Sequence, residues 1–198
     1  LVADGSIQGY TGYLSHPYHV PRDPQDPDYR GYPSIPRDDL FERVATLHKQ
    51  GYQIAIHGNG DESIEDILDA FEAAQQAHPV ADPRMILIHS QMAREDQVAR
   101  MKALKFSSHM DTPVTPMLPL QAVWSQVFRL SYGGDVIGEE QRIDVMSALR
   151  AVTIDAAWQV FMDDRIGSLE PGKLADMVVL SASPLANPEA MRELQVER

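Results

Sequence analysis

Two short apolar runs, residues 52–56 and 85–88, each deliver a histidine at their C-terminal end, His57 and His89, 32 positions apart. Each run is followed by turn residues and then by a stretch with helical apolar spacing. Ile64, Ile67, Leu68, Phe71 and Ala74 recur at i, i+3, i+4, i+7 and i+10 after His57. A preceding helix is predicted from Asp38, with Leu40, Phe41, Val44, Ala45 and Leu47 on one face and Gly51 beyond its end. A third is predicted over 94–105, with Val98, Met101 and Leu104 turned inward. Strand, helix, strand, helix is the rhythm of a parallel α/β sheet. A (β/α)₈ barrel of ~250 residues repeats every ~30, so the histidine spacing fits one barrel unit; an open doubly wound sheet fits it as well.

Flanking segments are less regular. Residues 1–36 hold six prolines and four glycines, which leaves room for a short strand at 1–3 and a long loop but no long helix. Residues 106–109 read as a strand end leading to Asp111, with no turn separating them from the helix before. That abruptness places a suspected missing segment near Lys105–Phe106. Beyond Pro119 come an amphipathic helix with Leu120, Val123, Trp124, Val127 and Phe128, two shorter helices over 144–152 and 153–161, and a strand at 177–180.

Composition narrows the function. Seventeen Lys+Arg against 29 Asp+Glu give a net charge of −12, which argues against nucleic acid and against an anionic membrane surface as partners. With 43% hydrophobic residues the chain has enough apolar content for a packed core. No cysteine is present, so disulfide scaffolds, zinc fingers and thiol nucleophiles are excluded. No nucleophile elbow, Walker loop or G-x-G-x-x-G fingerprint occurs. Gly58-Asn59-Gly60, between a strand and a helix, offers a weak anion-binding turn.

His57, His89 and Asp111 are the residues most able to carry chemistry. All three fall at predicted strand ends, the edge where parallel α/β folds build their sites. Two imidazoles and a carboxylate suit a Zn²⁺-like cation, which acidifies bound water while a nearby carboxylate moves the proton. Any single histidine is more often structural than a ligand; His48, beside Lys49, reads as amphipathic helix surface and His78 as a C-terminal helix residue. His16 and His19 flank the early loop. His109 shares a strand side with Asp111 and is a candidate substrate contact, as is Arg129; loop packing and a surface charge are the simpler roles. The acidic residues Glu62, Glu65, Asp66, Asp69 and Glu72 read as solvated helix surface.

Five segments in order resemble the metal-dependent amidohydrolase superfamily, in its YtcJ-like branch (amidohydrolase family 3), which includes N-substituted formamide deformylases. They are Leu1-Val2-Ala3-Asp4-Gly5-Ser6, Ile54-Ala55-Ile56-His57-Gly58-Asn59-Gly60-Asp61, Ile86-Leu87-Ile88-His89-Ser90-Gln91, Ser108-His109-Met110-Asp111-Thr112-Pro113-Val114, and residues 167–180 from Gly167-Ser168-Leu169 onward. The resemblance implies a partial TIM-like (β/α)₈ barrel over 1–165 and the start of a small β-sandwich over 166–198. It implies His57, His89 and Asp111 as ligands of a divalent metal, zinc in the first instance, as one or two ions. A metal-bound hydroxide would attack the carbonyl of a non-peptide amide, and Asp111 would protonate the departing nitrogen as the carbon–nitrogen bond breaks. The family's first-strand H-x-H pair has no counterpart in this sequence, and a bridging lysine would fall before Leu1. The expectation is an incomplete copy of a longer cytoplasmic enzyme acting on a small molecule, with a homo-oligomer left open. A catalytically incomplete barrel that binds a small ligand or a partner is the alternative; a sugar- or phosphate-processing barrel has only the acidic loops in its favour.

Overall fold

The computed structural model describes residues 1–101 and 111–197. The chain divides into two compact units, Leu1–Leu104 and Lys105–Arg198. The suspected break at Lys105–Phe106, the strand at 106–109 and His109 lie outside the described residues.

The first unit is built on two parallel strands, β1 (Ala55–Gly58) and β2 (Ile86–His89), with His57 opposite Ile88 and Gly58 opposite His89. Val2 adds a parallel bridge on the other side of β1, where Ala3 N–H donates to the His57 carbonyl and His57 N–H to that of Leu1. Helices α1 (Arg37–Lys49) and α2 (Asp61–Ala77) fill the two predicted helical stretches. Their apolar faces meet β1 in one core: Leu40 and Val44 from α1, Ile56 from the strand and Ile54 just before it, and Ile67, Ala70, Phe71 and Ala74 from α2. Burying each large aliphatic side chain contributes about 1.5–3 kcal/mol. Lys49 and the acidic pair Asp38 and Asp39 lie at the ends of α1 that complement its dipole. Gly51 takes the positive φ (+80°) that ends α1.

Three local expectations are overturned. Helix α3 covers Glu95–Arg100; Met101 at its end is buried against Ile64 and Leu68 as expected and Leu104 lies outside the described residues, but Gln97 is fully buried and Val98 is 44% exposed. The reason is polar: the Gln97 amide donates to the Asp61 carbonyl (2.7 Å) and to Glu65 (2.9 Å), and Arg94 N–H donates to Gln97 Oε1 (3.0 Å). These bonds fix the helix's rotation and carry Val98 outward. His48 is buried, not surface, because Nε2 bonds the His78 carbonyl at the end of α2 (2.8 Å). The acidic face of α2 is not free surface either. Arg37 pairs with Asp66 and Asp69, Arg94 with Asp61 and Glu65, and Arg100 with Glu65, Asp69 and Glu72.

In the second unit, α4 (Pro119–Phe128), α5 (Val145–Ala151) and α6 (Ile154–Gln159) follow the apolar spacing. Asp144 caps α5 by accepting from Ser147 N–H at 3.0 Å. The core here is Val123, Ala148 and Met191, with the Arg192 guanidinium 3.8 Å from the Trp124 ring centroid. The strand predicted at 177–180 is reduced to one antiparallel bridge, Leu180 to Val196, and Met177, Val178 and Val179 stay exposed. A strand forms only where a neighbour pairs with it, and the described residues supply a single partner position. Among the described residues no helix is long and apolar enough to cross a membrane.

Candidate metal centre

The sheet brings His57 and His89 together. The two histidines sit one position apart in register on adjacent parallel strands, and their rings meet edge to face, centroids 4.6 Å apart. His89 and Ser90 both adopt left-handed backbone (φ +74° and +54°). That conformation is uncommon for non-glycine residues and tends to cluster at functional sites. It is held by Ser90 N–H donating to the Gly58 carbonyl at 3.1 Å.

His57 Nδ1 is buried and has no hydrogen-bond partner among the described residues. Asp4 Oδ1 lies 3.5 Å from it, and Asn59 Nδ2 lies 3.4 Å from Nε2. A buried imidazole nitrogen without a partner is costly. The paired imidazoles of His57 and His89 suit a borderline-soft divalent cation, with Nδ1 of His57 left facing the Asp4 carboxylate. Among the described residues, no cluster of three or more His, Asp or Glu side chains forms a ready-made cage.

Asp4 is the residue that reading the sequence missed. It is fully buried and accepts three backbone N–H groups: Tyr13 (2.9 Å), Asn59 (2.9 Å) and Gly60 (2.8 Å). The anion that the Gly58-Asn59-Gly60 turn binds is therefore this carboxylate. The legible signal was positional, an acid followed by glycine at the end of an apolar run, as His57 is followed by Gly58. Neither Asp61 nor Ser63 caps α2. Asp61 instead accepts from Ser15 N–H (2.9 Å), Ser15 Oγ and Arg94. Burial pushes the Asp61 carboxyl up, but these donors outweigh it and hold it below the usual aspartate value.

The early loop packs on its own tyrosines, with Tyr18 between Tyr10 (4.9 Å) and Tyr29 (6.1 Å). His16 faces Ser15 Oγ at 2.9 Å. Asp111 occupies an exposed turn of the second unit, at φ +52°, and its carbonyl accepts from Val114 N–H. Arg129 ends α4 in left-handed backbone and donates from Nε to the Ile137 carbonyl at 2.6 Å, a contact that closes the turn following the helix. A cavity of about 430 Å³ lies along α1 and Leu1, lined by Asp39, Glu42, Arg43, Thr46 and Leu47, and contains neither imidazole.

A model of the amidohydrolase family matches residues 1–110 and 104–198. YtcJ of Bacillus subtilis is 25% identical over 244 residues, covering all of this chain and 44% of that one. The N-substituted formamide deformylase of Arthrobacter pascens is 26% identical over 206 residues, 82% of this chain and 38% of that one. An uncharacterized metal-dependent hydrolase from Pyrococcus furiosus shares the fold, with a TM-score of 0.75 at 22% identity over 93% of this chain and 44% of its own. The chain thus spans less than half the length of the relatives it matches. With two family matches that between them run from the first residue to the last, and mixed α/β architecture to go with them, the chain belongs to the amidohydrolase family.

Proposed function

We propose that this chain is part of a metal-dependent hydrolase that cleaves carbon–nitrogen bonds of non-peptide amides, built on a partial TIM-like barrel. The observation that carries the reading is the His57–His89 pair, two imidazoles converging at parallel strand ends with ring centroids 4.6 Å apart. His57, His89 and Asp111 would hold a divalent cation, zinc in the first instance, as one or two ions. Such a cation supplies a Lewis acid that polarises the amide carbonyl and acidifies water. In this reading Asp111 accepts the water's proton and delivers it to the departing nitrogen, and His109 and Arg129 contact the substrate. The name of the Arthrobacter relative supports an amide-type bond over other hydrolysable bonds. A small molecule is the partner and the cytoplasm the compartment.

The same reading covers the chain's organisation. Residues 1–165 supply barrel and 166–198 the first part of a β-sandwich. The alignment with YtcJ runs over 244 residues against the chain's 198, a difference of 46. We place most of that difference near Lys105–Phe106, where the two family matches overlap; it has the size of one barrel unit with its loops.

The test is turnover of N-substituted amides by the zinc-loaded chain, compared with the metal-stripped chain and with His57→Ala and Asp111→Asn. Metal-dependent release of amine, lost in both variants, is the expected result. Turnover indifferent to metal and to His57→Ala overturns the proposal. A second reading, a binding protein on an incomplete barrel, is favoured by the missing H-x-H pair; zinc retention without turnover on any amide would select it.

A further inference from the structure

We propose that Asp4 is the positioning residue for His57, an inference that rests on the metal-centre reading above. Two of the three hydrogen bonds to the Asp4 side chain come from the segment around that histidine. The backbone just before Asp4 brackets His57 on both sides, through Ala3 N–H to the His57 carbonyl (2.9 Å) and His57 N–H to the Leu1 carbonyl (3.0 Å). Its side chain then fastens the two residues that follow Gly58, taking Asn59 N–H on Oδ1 and Gly60 N–H on Oδ2. Oδ2 also takes Tyr13 N–H from the early loop. The strand end and turn that carry His57 are thus clamped from one buried point.

The ring itself is oriented by the same set. Asn59 Nδ2 donates to the Gly5 carbonyl (2.9 Å), which fixes the amide so that its NH₂ group faces His57 Nε2. A donor at Nε2 leaves a lone pair there, so the proton of the neutral, metal-free ring belongs on Nδ1, facing Asp4 Oδ1 at 3.5 Å. A carboxylate against a ligating imidazole fixes ring orientation and raises its basicity; losing such a partner costs about 10–100-fold in metal affinity.

The experiment uses the whole chain with zinc alone as probe, and long-range ¹H–¹⁵N spectra of the histidine rings. Asp4→Asn keeps the size and loses the charge. It is expected to weaken zinc binding about 10–100-fold and to move the His57 nitrogen signals in the metal-free chain. Asp61→Asn is the control: it too removes a buried carboxylate, at the start of α2, but it touches Ser15 and Arg94 instead of His57, so both readouts stay put. Wild-type zinc affinity and unmoved His57 signals in folded Asp4→Asn overturn the role. Should Asp4→Asn fail to fold, the wild-type spectrum decides: a proton on Nδ1 sustains the role, and a proton on Nε2 overturns it. A wild-type chain that binds no zinc defeats the metal-centre reading instead, and the metal-free spectra still decide Asp4.

Discussion

Gln97 offers the sharpest test of how the first unit is held together. Replacing it with leucine removes three hydrogen bonds at a fully buried position: one to the Asp61 carbonyl, one to the Glu65 carboxylate and one from Arg94 N–H. A neutral bond contributes about 1 kcal/mol and one to a charged group about 1.5–3. Glu65 is 31% exposed, so the lower figure applies and the gross loss is about 3.5–4 kcal/mol. A buried leucine returns about 2 kcal/mol. The net cost is about 2 kcal/mol, which is roughly a 30-fold loss of protection. Both tryptophans, Trp124 and Trp158, lie in the second unit, so intrinsic tryptophan fluorescence does not report on the first. Hydrogen exchange with mass spectrometry over α3 and the first turn of α2 does. Val98→Ala, at an exposed site, should stay within about 0.5 kcal/mol. If Val98→Ala lowers protection as much as Gln97→Leu, the polar clamp is not what orients α3 and the apolar-stripe reading returns.

Other perturbations probe separate links. In Gly60→Ala the new Cβ would meet the Tyr13 carbonyl oxygen at 1.9 Å; the loop must lift, and exchange should rise across 11–15 while α1 is unchanged. Asp61→Asn should destabilise the first unit at pH 7. Because the folded carboxyl sits below the usual 3.8, that penalty persists to about pH 4 and fades as the pH falls through the depressed value, measured as the difference between the two chains' acid melts. Asp66 runs the other way. Burial raises its carboxyl despite Arg37, so its own shift counts against the fold at neutral pH and is relieved on acidification, and Asp66→Asn should remove that relief. Met191→Ala, at a fully buried site of the second unit, should cost about 2–5 kcal/mol, read from Trp124 fluorescence in urea.

Apolar periodicity made the frame legible. The α2 stripe from Ile64 to Ala74 and the runs ending in His57 and His89 are strong signals because burial alone dictates them. Polar contacts between distant segments were not legible. Beyond its local bond to Arg94 N–H, Gln97 is buried by partners 32 and 36 positions away, which no local pattern announces. His48 owes its burial to a carbonyl 30 residues on. Aspartate before glycine is ordinary turn chemistry, so nothing local marks Asp4; only the return of Asn59 and Gly60 to its side shows the clamp. The 177–180 segment has strand composition, but composition cannot supply the neighbour a strand requires.

X-ray absorption at the zinc edge of the loaded chain addresses the central claim most directly. The account expects imidazole scattering from two histidines with Zn–N distances of about 2.0–2.1 Å, with one imidazole lost in His57→Ala and one in His89→Ala. A zinc shell without histidine, or one unchanged when both are replaced, would contradict it.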